Sequence, residues 1–273
     1  AFIAAQEIEK LIPADIEQLK AVIEKANDLQ IPFVVLGNGT NVLVPDEGID
    51  KAVIIIGAKM AEITLEDDDI LCFCAGTNLM SLCRYAYNNG LSGLEFAFGI
   101  PGSCGGAIYM NAGAYGGEIK DILTEITHLT PDMKIETISA ENAELGYRTS
   151  VYKKNSCIIL SAKARLKKDS ADNIKSRMDD FLGRRKDKQP LEYPSAGSTF
   201  KRPEGYFAGA LIEQCNLKGK SIGGAQVSKK HAGFVINKGN ATSKDILELI
   251  AHIKDTVEEK TGVTLEPEVI VLR

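Results

Sequence analysis

The chain has 273 residues, of which 44% are hydrophobic and 25% charged, and its formal net charge is −5. A chain of this length can bury a sizeable core, either as one large α/β unit or as two domains. The acidic balance disfavours a nucleic-acid partner or a basic membrane-binding surface, and no run approaches the roughly 18 apolar residues that cross a membrane. The chain opens with Ala rather than Met, so a missing N-terminal segment, with or without a leader, stays open.

The first predicted elements are a helix and a buried strand. Residues 15–29 follow Pro13 and carry apolar side chains at helical spacing, namely Ile16, Leu19, Val22, Ile23, Ala26 and Leu29. Residues 33–36 form a short apolar run, which predicts a buried strand. A loop at 37–41 and a second apolar run at 42–44 follow.

The loop Gly37–Asn41 resembles part of a dinucleotide-binding fingerprint, but it lacks the third glycine and opens a strand-like run instead of a helix. A Rossmann turn needs both features, so that interpretation is rejected. Two interpretations remain. The loop is either an anion-binding nest of backbone amides or the turn of a plain hairpin.

The remaining elements alternate along the chain. Strands are predicted at 52–56, 70–74, 122–129, 134–139, 157–166 and 233–237, with a final extended segment at 263–272. Helices are predicted at 79–89 after an Asn78 cap, at 172–187, at 205–214, and from Thr242 to Gly262. The helix predicted at 172–187 ends in basic residues (184–188), which complement the helix dipole. Gln189-Pro190 is the preferred domain boundary.

One glycine-rich stretch, Gly99–Gly117, stands out because seven of its nineteen residues are Gly and none is charged. Such a segment brings backbone close to a large partner, with N–H groups making the contacts. The alternative is a turn packed against a neighbouring element.

Cysteine and histidine usage points away from disulfides and metals. The six cysteines form no C-x-x-C pair, and the three histidines lie far apart. This pattern predicts reduced thiols in a cytoplasmic protein that holds no metal.

Five segments, taken together and in order, resemble the UDP-N-acetylenolpyruvoylglucosamine reductase (MurB) family over nearly the whole chain. They are residues 36–44 (LGNGTNVLV), 93–117 (from GLEF through the glycine-rich stretch), 146–150 (GYRTS), 194–203 (PSAGSTFKRP) and 265–269 (LEPEV). Two features qualify the resemblance. The family's Gly-Gly turn before the first strand is not seen, and only 50 positions separate Arg148 from Ser198, which fits the shorter, type II form without the substrate-covering Tyr loop.

The resemblance implies an α+β protein in two parts. Residues 1–188 are expected to form a two-lobed FAD-binding α/β domain of the p-cresol-methylhydroxylase (PCMH) type, with lobes at about 1–57 and 58–188. Residues 189–273 are expected to form a smaller α+β substrate-binding domain. The residues implied to bind FAD non-covalently are Gly37, Asn38, Gly39, Thr40, Asn41, Gly76, Gly99, Ile100, Pro101, Gly102, Ser103, Gly106, Ala107, Asn111, Gly113 and Ala114.

The resemblance also implies three catalytic residues. Arg148 would hold the substrate carboxylate, Ser198 would donate a proton to C2, and Glu268 would act beside the enol carbon. A Ser hydroxyl is a weak acid and needs polarisation, for which Lys201 and Arg202 are candidates; both also suit the substrate diphosphate. Only the motif favours Glu268 over Glu266, which shares its strand face, and Lys229 and Lys230 are either phosphate ligands or a solvated pair.

The implied reaction is the reduction of UDP-N-acetylglucosamine enolpyruvate to UDP-N-acetylmuramate in peptidoglycan precursor synthesis. NADPH is the implied co-substrate, and a monomer is expected, without nucleic-acid or membrane partners. Two alternatives from other classes are an oxidase of the wider flavin superfamily and a non-catalytic UDP-sugar-binding protein. For the oxidase, Cys104 is the candidate for covalent FAD attachment. For the non-catalytic protein, the complete Arg148, Ser198 and Glu268 set is a contrary feature.

Overall fold

The computed structural model describes residues 10–273, so the first nine residues of the predicted FAD domain lie outside the described residues. The helices in this range are α1 Ile16–Asp28, α2 Leu79–Asn88, α3 Cys104–Tyr109, α4 Ala171–Lys188, α5 Ala208–Gln214 and α6 Ser243–Thr261. The strands in the same range are β1 Lys10–Leu11, β2 Phe33–Leu36, β3 Val42–Leu43, β4 Ala52–Ile55, β5 Ile63–Glu66, β6 Ile70–Cys74, β7 Leu91–Ser92, β8 Gly113–Ala114, β9 Gly117–Glu118, β10 Leu123–Leu129, β11 Ile135–Ser139, β12 Ile158–Arg165, β13 Lys167–Lys168, β14 Ser221–Ile222, β15 Ala225–Val227, β16 Val235–Asn237 and β17 Ile270–Val271.

The described chain divides into two compact units. Residues 10–38 and 51–184 form what we call the first unit, and residues 39–50 and 185–273 form the second unit. The chain therefore enters the second unit for twelve residues, returns to the first, and enters the second again near the end of α4. One crossing point falls inside the glycine loop 37–41, between Asn38 and Gly39.

The first unit contains two main sheets. A parallel sheet has the strand order β1-β4-β2. An antiparallel sheet has the order β11-β10-β12-β6-β5, with Ile126 opposite Ala162 and Ala162 opposite Phe73. One hydrophobic core joins both sheets to α1 and α2, and it includes Leu19 and Leu79. Local signals explain the first helix, because the Asp15 carboxylate accepts the Gln18 N–H at 2.7 Å and so caps it.

The second unit packs α5 and α6 with the antiparallel sheet β14-β15-β16. Helix α6 begins with a capping box in which Thr242 and Asp245 bond each other's backbone N–H groups, and it ends at Gly262 with φ +71°. The pair β3–β17 is parallel, with Ile270 opposite Val42. Leu43 on β3 is buried in the core of this unit.

Most predicted elements are confirmed, and the differences include the following. The hairpin interpretation of the loop 37–41 is wrong, because β2 pairs with β4 whereas β3 pairs with β17. The predicted face of the first helix is one residue too long, since the helix ends at Asp28 and Leu29 is exposed. Helix α3, inside the glycine-rich stretch, was not predicted.

Among residues 10–273, no helix is long and apolar enough to span a membrane. The same range holds no cluster of three or more His, Cys, Asp or Glu placed to bind a metal ion. All six cysteines are free thiols, and Cys83, Cys104 and Cys215 are buried.

Candidate functional site

The glycine-rich stretch of the first unit is built around α3. Ser103 caps this helix by accepting the Gly106 N–H at 3.3 Å. The amides of the first two helix residues also have partners. Cys104 donates to the Thr77 carbonyl at 2.8 Å, and Gly105 donates to the Ala75 carbonyl at 2.9 Å. The amides of this first turn therefore serve the protein itself, and the stretch is more rigid than its glycine content suggests.

The loop 37–41 is different, because its amides are open. The N–H groups of Gly37, Asn38, Gly39 and Thr40 donate no hydrogen bond to any residue in the described range. Gly37 also lies so close to Ser103 that an added Cβ would overlap the serine Oγ. This contact joins the loop to the glycine-rich stretch within the first unit. Within the first unit, the open amides of Gly37 and Asn38 beside uncharged backbone suit an anionic ligand.

Two of the predicted cofactor-contact glycines are required for close packing. A Cβ at Gly76 would overlap the Gly57 carbonyl oxygen, and a Cβ at Gly113 would lie 2.7 Å from the Glu118 side chain. Gly113 belongs to the hairpin β8–β9, whose two-residue turn at Tyr115 and Gly116 has φ values of +53° and +87°. These positive values are those of a tight hairpin turn.

Arg148 lies on a second tight turn of the first unit. Gly146 and Thr149 exchange backbone hydrogen bonds at 3.2 Å, and Arg148 between them has φ +54°. This left-handed conformation is uncommon for a residue with a long side chain and is often found at functional sites. The Arg148 guanidinium donates to the Gly113 carbonyl at 3.1 Å. This bond brings the Arg148 side chain to the glycine-rich stretch.

Asn111 connects the same two segments and is fully buried. Its amide nitrogen donates to the Gly146 carbonyl at 2.9 Å and to the Glu118 carboxylate at 3.0 Å, and its amide oxygen accepts the Lys120 N–H at 3.0 Å. With these three bonds, the Asn111 side chain acts inside the protein rather than at a cofactor surface. Ala107, another predicted contact, is also buried.

Glu118, which is not among the predicted site residues, lies beside Asn111 at the end of the glycine-rich stretch. The pKa of its carboxyl is lowered, chiefly by the hydrogen bond from Lys120, with a further contribution from the Asn111 amide and the charge of Arg148. The available signal was its position, since Glu118 is the first charged residue after the glycine-rich stretch.

In the second unit, the backbone of Glu268 is bonded to the residue that follows Ser198. The segments 199–201 and 266–268 run antiparallel around a bridge between Phe200 and Pro267. The Glu268 N–H donates to the Thr199 carbonyl at 2.8 Å, so Glu268 lies one residue from Ser198 along this pairing. Ser198 is exposed and follows Gly197, whose φ of +78° turns the chain before the serine.

The neighbouring charges of the second unit already have partners. Lys201 pairs with the carboxylate of Glu266, whereas its predicted partners were the substrate diphosphate and Ser198. The Arg202 guanidinium lies 4.0 Å from the ring centroid of Phe207, and its Nε donates to the Tyr206 carbonyl at 3.3 Å.

The undecided lysines are also in contact with the protein. The Lys229 side chain lies along Gly219, where a Cβ would be 3.1 Å from the lysine Cε. Lys230 donates from Nζ to the Lys186 carbonyl at 2.6 Å. Both side chains therefore contact other residues of the second unit.

Cys104 does not have the properties of a covalent flavin anchor. Its side chain is 1% exposed, and burial raises the pKa of its thiol well above the ordinary value. The thiolate, which would be the nucleophile, is therefore strongly disfavoured. This observation agrees with non-covalent cofactor binding and disfavours Cys104 as the covalent attachment site considered for the oxidase alternative.

Comparison with known proteins decides the family. A family model described as "FAD binding domain" matches residues 10–139, and one described as "UDP-N-acetylenolpyruvoylglucosamine reductase, C-terminal domain" matches residues 189–272. A reductase of that name from Syntrophomonas wolfei is 48% identical over 262 residues, covering 96% of this chain and 87% of the relative. The chain belongs to the UDP-N-acetylenolpyruvoylglucosamine reductase family.

Further members of this reductase family agree. The reductase of Agathobacter rectalis is 49% identical over 266 residues, covering 93% of this chain and 85% of that protein. The crystal structure of the reductase (MurB) from Thermus caldophilus superposes with a TM-score of 0.80 at 35% identity, covering 97% of this chain and 91% of that one.

The predicted fold class is therefore confirmed, with an FAD-binding domain followed by a C-terminal domain. The chain is an oxidoreductase that uses FAD, as the resemblance implied. The roles of individual residues stay predictions.

Proposed function

We propose that this reductase transfers a hydride equivalent from NADPH to UDP-N-acetylglucosamine enolpyruvate and so forms UDP-N-acetylmuramate. The curated relatives carry the corresponding name. In the balanced reaction, NADPH loses a hydride, the enolpyruvyl C3 gains it, and C2 gains one proton. The product feeds peptidoglycan synthesis, and hence cell shape and division, in the cytoplasm. We further propose that the enzyme acts as a monomer.

The described residues fit FAD as a non-covalent cofactor. The open amides of the loop 37–41 suit its pyrophosphate, and the uncharged backbone of residues 99–103, 106, 113 and 114 suits a planar ring system. When bound, FAD supplies two-electron chemistry that links a nicotinamide to an activated carbon–carbon double bond. The protein contributes binding and orientation.

Arg148 is proposed to bind the substrate carboxylate. Hydride addition at C3 places negative charge on C2 and its attached carboxylate, and a guanidinium stabilises that charge most when it is held in advance. Two features support this role: the turn 146–149 and the bond from Arg148 to the Gly113 carbonyl. The planar fork of arginine matches a carboxylate better than an ammonium group does.

Ser198 is proposed to deliver the proton to C2, with Glu268 next to it. The pairing of residues 199–201 with 266–268 is the observation that carries this assignment, because it bonds the backbone of Glu268 to Thr199, the residue next to Ser198. The Glu268 carboxyl group can accept a hydrogen bond from the hydroxyl while it is ionised; in its protonated form, with the proton taken from solvent, it can return a proton to the serine oxygen after transfer. The ion pair of Glu266 with Lys201 favours Glu268 over Glu266 for this task.

The proposal is tested by separating the two half-reactions. Purified protein should absorb at about 450 nm because of its flavin, lose that absorbance with NADPH, and regain it with the enolpyruvyl substrate. Ser198→Ala should leave the first step nearly unchanged and slow the second by about 10²-fold or more. Equal slowing of both steps would mean that Ser198 has only a structural role.

Full-length protein that stays colourless and inactive with added FAD would contradict the whole proposal. Denaturation should release the flavin into solution. Colour that stays with the polypeptide would contradict the non-covalent assignment.

A further inference from the structure

Asn41 forms hydrogen bonds to Glu268 and Ile270, the two residues on either side of Val269, which precedes β17. Its side-chain nitrogen donates to the Glu268 carbonyl at 3.0 Å. Its own carbonyl accepts the Ile270 N–H at 3.0 Å. The two bonds come from one residue of the glycine loop, and all three residues belong to the second unit. The Glu268 N–H makes a further bond, to the Thr199 carbonyl, so the backbone from Glu268 to Ile270 is bonded both to Asn41 and to the segment that follows Ser198.

We propose that Asn41 is a positioning residue for Glu268. This inference rests on the proposed function, because it assigns Asn41 a task in the step that Glu268 serves. Glu268 is bonded through its N–H to the segment that follows Ser198 and through its carbonyl to Asn41. Its backbone is therefore held by two segments, the end of the loop 37–41 and residues 199–201. Asn41 is the last residue of the loop whose amides are open at residues 37–40. It thus positions the backbone that carries the Glu268 carboxylate.

The residue type at position 41 fits this task. The asparagine side chain is short and carries N–H donors at a fixed distance from the backbone. Aspartate has the same shape but presents only acceptors when ionised, so it would face the Glu268 carbonyl with a repulsive oxygen. Alanine removes the bond and leaves the carbonyl without this donor. The parallel pairing of β3 with β17 survives both changes, because it uses backbone groups.

The expected effect is specific to one half-reaction. A small displacement of a group that handles a proton slows that step by about tenfold to a hundredfold. Asn41→Ala and Asn41→Asp should slow flavin reoxidation by the enolpyruvyl substrate by this factor. With saturating FAD, flavin reduction by NADPH should change by less than about twofold, since that step does not use Glu268.

Double substitution distinguishes positioning from other roles. In a Glu268→Ala background, Asn41→Ala should slow reoxidation by less than about twofold further, because two residues that act as a unit are non-additive. The same multiplicative loss in both backgrounds would overturn the proposal. Equal slowing of flavin reduction would also overturn it and would assign Asn41 to the cofactor alone. If Glu268→Ala itself leaves reoxidation unchanged, the proposed role of Glu268 fails, which is a separate result.

A measurement without flavin completes the test. In the FAD-free protein, amide hydrogen exchange of the segment 266–272 should become faster in Asn41→Ala than in the parent. Asn89→Ala is the matched control, since Asn89 donates to the Tyr85 carbonyl at 2.8 Å at the end of α2 in the first unit. It removes a bond of the same type, and exchange of 266–272 and both half-reactions should keep their parent values. Unchanged exchange in Asn41→Ala would overturn the inference.

Discussion

At the scale of single residues, two glutamates two positions apart have different surroundings. Glu266 is 70% exposed on its side chain and pairs with Lys201. Glu268 is half-buried, and its backbone is bonded on both sides. A carboxylate that neutralises a neighbouring lysine changes ligand binding when it is removed, whereas a carboxylate in the proton path changes the chemical step.

Glu266→Gln and Glu268→Gln should therefore differ in kind. Glu266→Gln leaves Lys201 without its partner, so the KM for the anionic substrate should fall a few-fold, more strongly at low salt, with kcat nearly unchanged. Glu268→Gln should lower kcat by about 10²-fold or more with a small effect on KM. Steady-state kinetics at two ionic strengths measure both. The reverse pattern would assign the proton chemistry to Glu266.

At the scale of elements, helix α3 explains why the glycine-rich stretch is difficult to interpret from sequence. Its residues include Gly105 and Gly106, which are poor helix formers. The helix forms because Ser103 caps it and because the Ala75 and Thr77 carbonyls bind its first amides. Ala75 and Thr77 are distant from this helix in sequence. By contrast, α6 was predictable because its capping box and terminal glycine are local signals.

A pair of glycine substitutions tests the contact between the loop 37–41 and α3. Gly37→Ala would force Ser103 to move, so we expect a loss of about 1–3 kcal/mol of stability and weaker FAD binding. Gly183→Ala is the control, because this helical glycine has no neighbour within 4 Å of the added Cβ. It should stabilise the protein by up to about 1 kcal/mol. Thermal unfolding and FAD titration compare the two, and equal stability would contradict the close contact.

At the scale of the whole molecule, stability near neutral pH depends on a buried histidine. His128 lies on β10 with its Nδ1 3.0 Å from the Tyr152 hydroxyl. Burial lowers the pKa of His128 below its ordinary value of 6.5, and the opposed Glu136 on β11 only partly offsets this effect. The unfolded chain therefore binds a proton at a pH where the folded protein does not.

The free energy of unfolding should consequently fall as the pH decreases below about 6.5. The loss ends when the pH passes the lowered pKa of the folded state. Denaturant titrations of the parent and of His128→Gln between pH 7.5 and about 5 measure the difference. The variant should lose most of the slope in this window, whatever its stability at pH 7.5. An unchanged slope would assign the dependence to other groups.

The candidate residues and most helices could be predicted from the sequence, but their spatial arrangement could not. The order of the motifs indicated Arg148, Ser198 and Glu268, and local caps indicated most helices. The partner of β3 could not be predicted, because Val42–Leu43 is too short to carry a pairing signal and Ile270–Val271 lies more than 220 residues later. The double bonding of Asn41 follows from that pairing. Packing reasons for Gly76 and burial of Asn111 likewise depend on contacts that only the fold brings together.

The placement of residues 39–50 in the second unit affects how recombination between two related genes changes stability. They contribute β3, the core residue Leu43, and Asp46, whose carboxylate accepts the Ser243 N–H at 2.8 Å at the start of α6. A recombination event with one junction near residue 188 would therefore combine a C-terminal half from one parent with residues 39–50 from the other. Chimaeras of two relatives that exchange 39–50 together with 185–273 should be more stable than single-junction chimaeras. We therefore expect the two separate stretches to be inherited together.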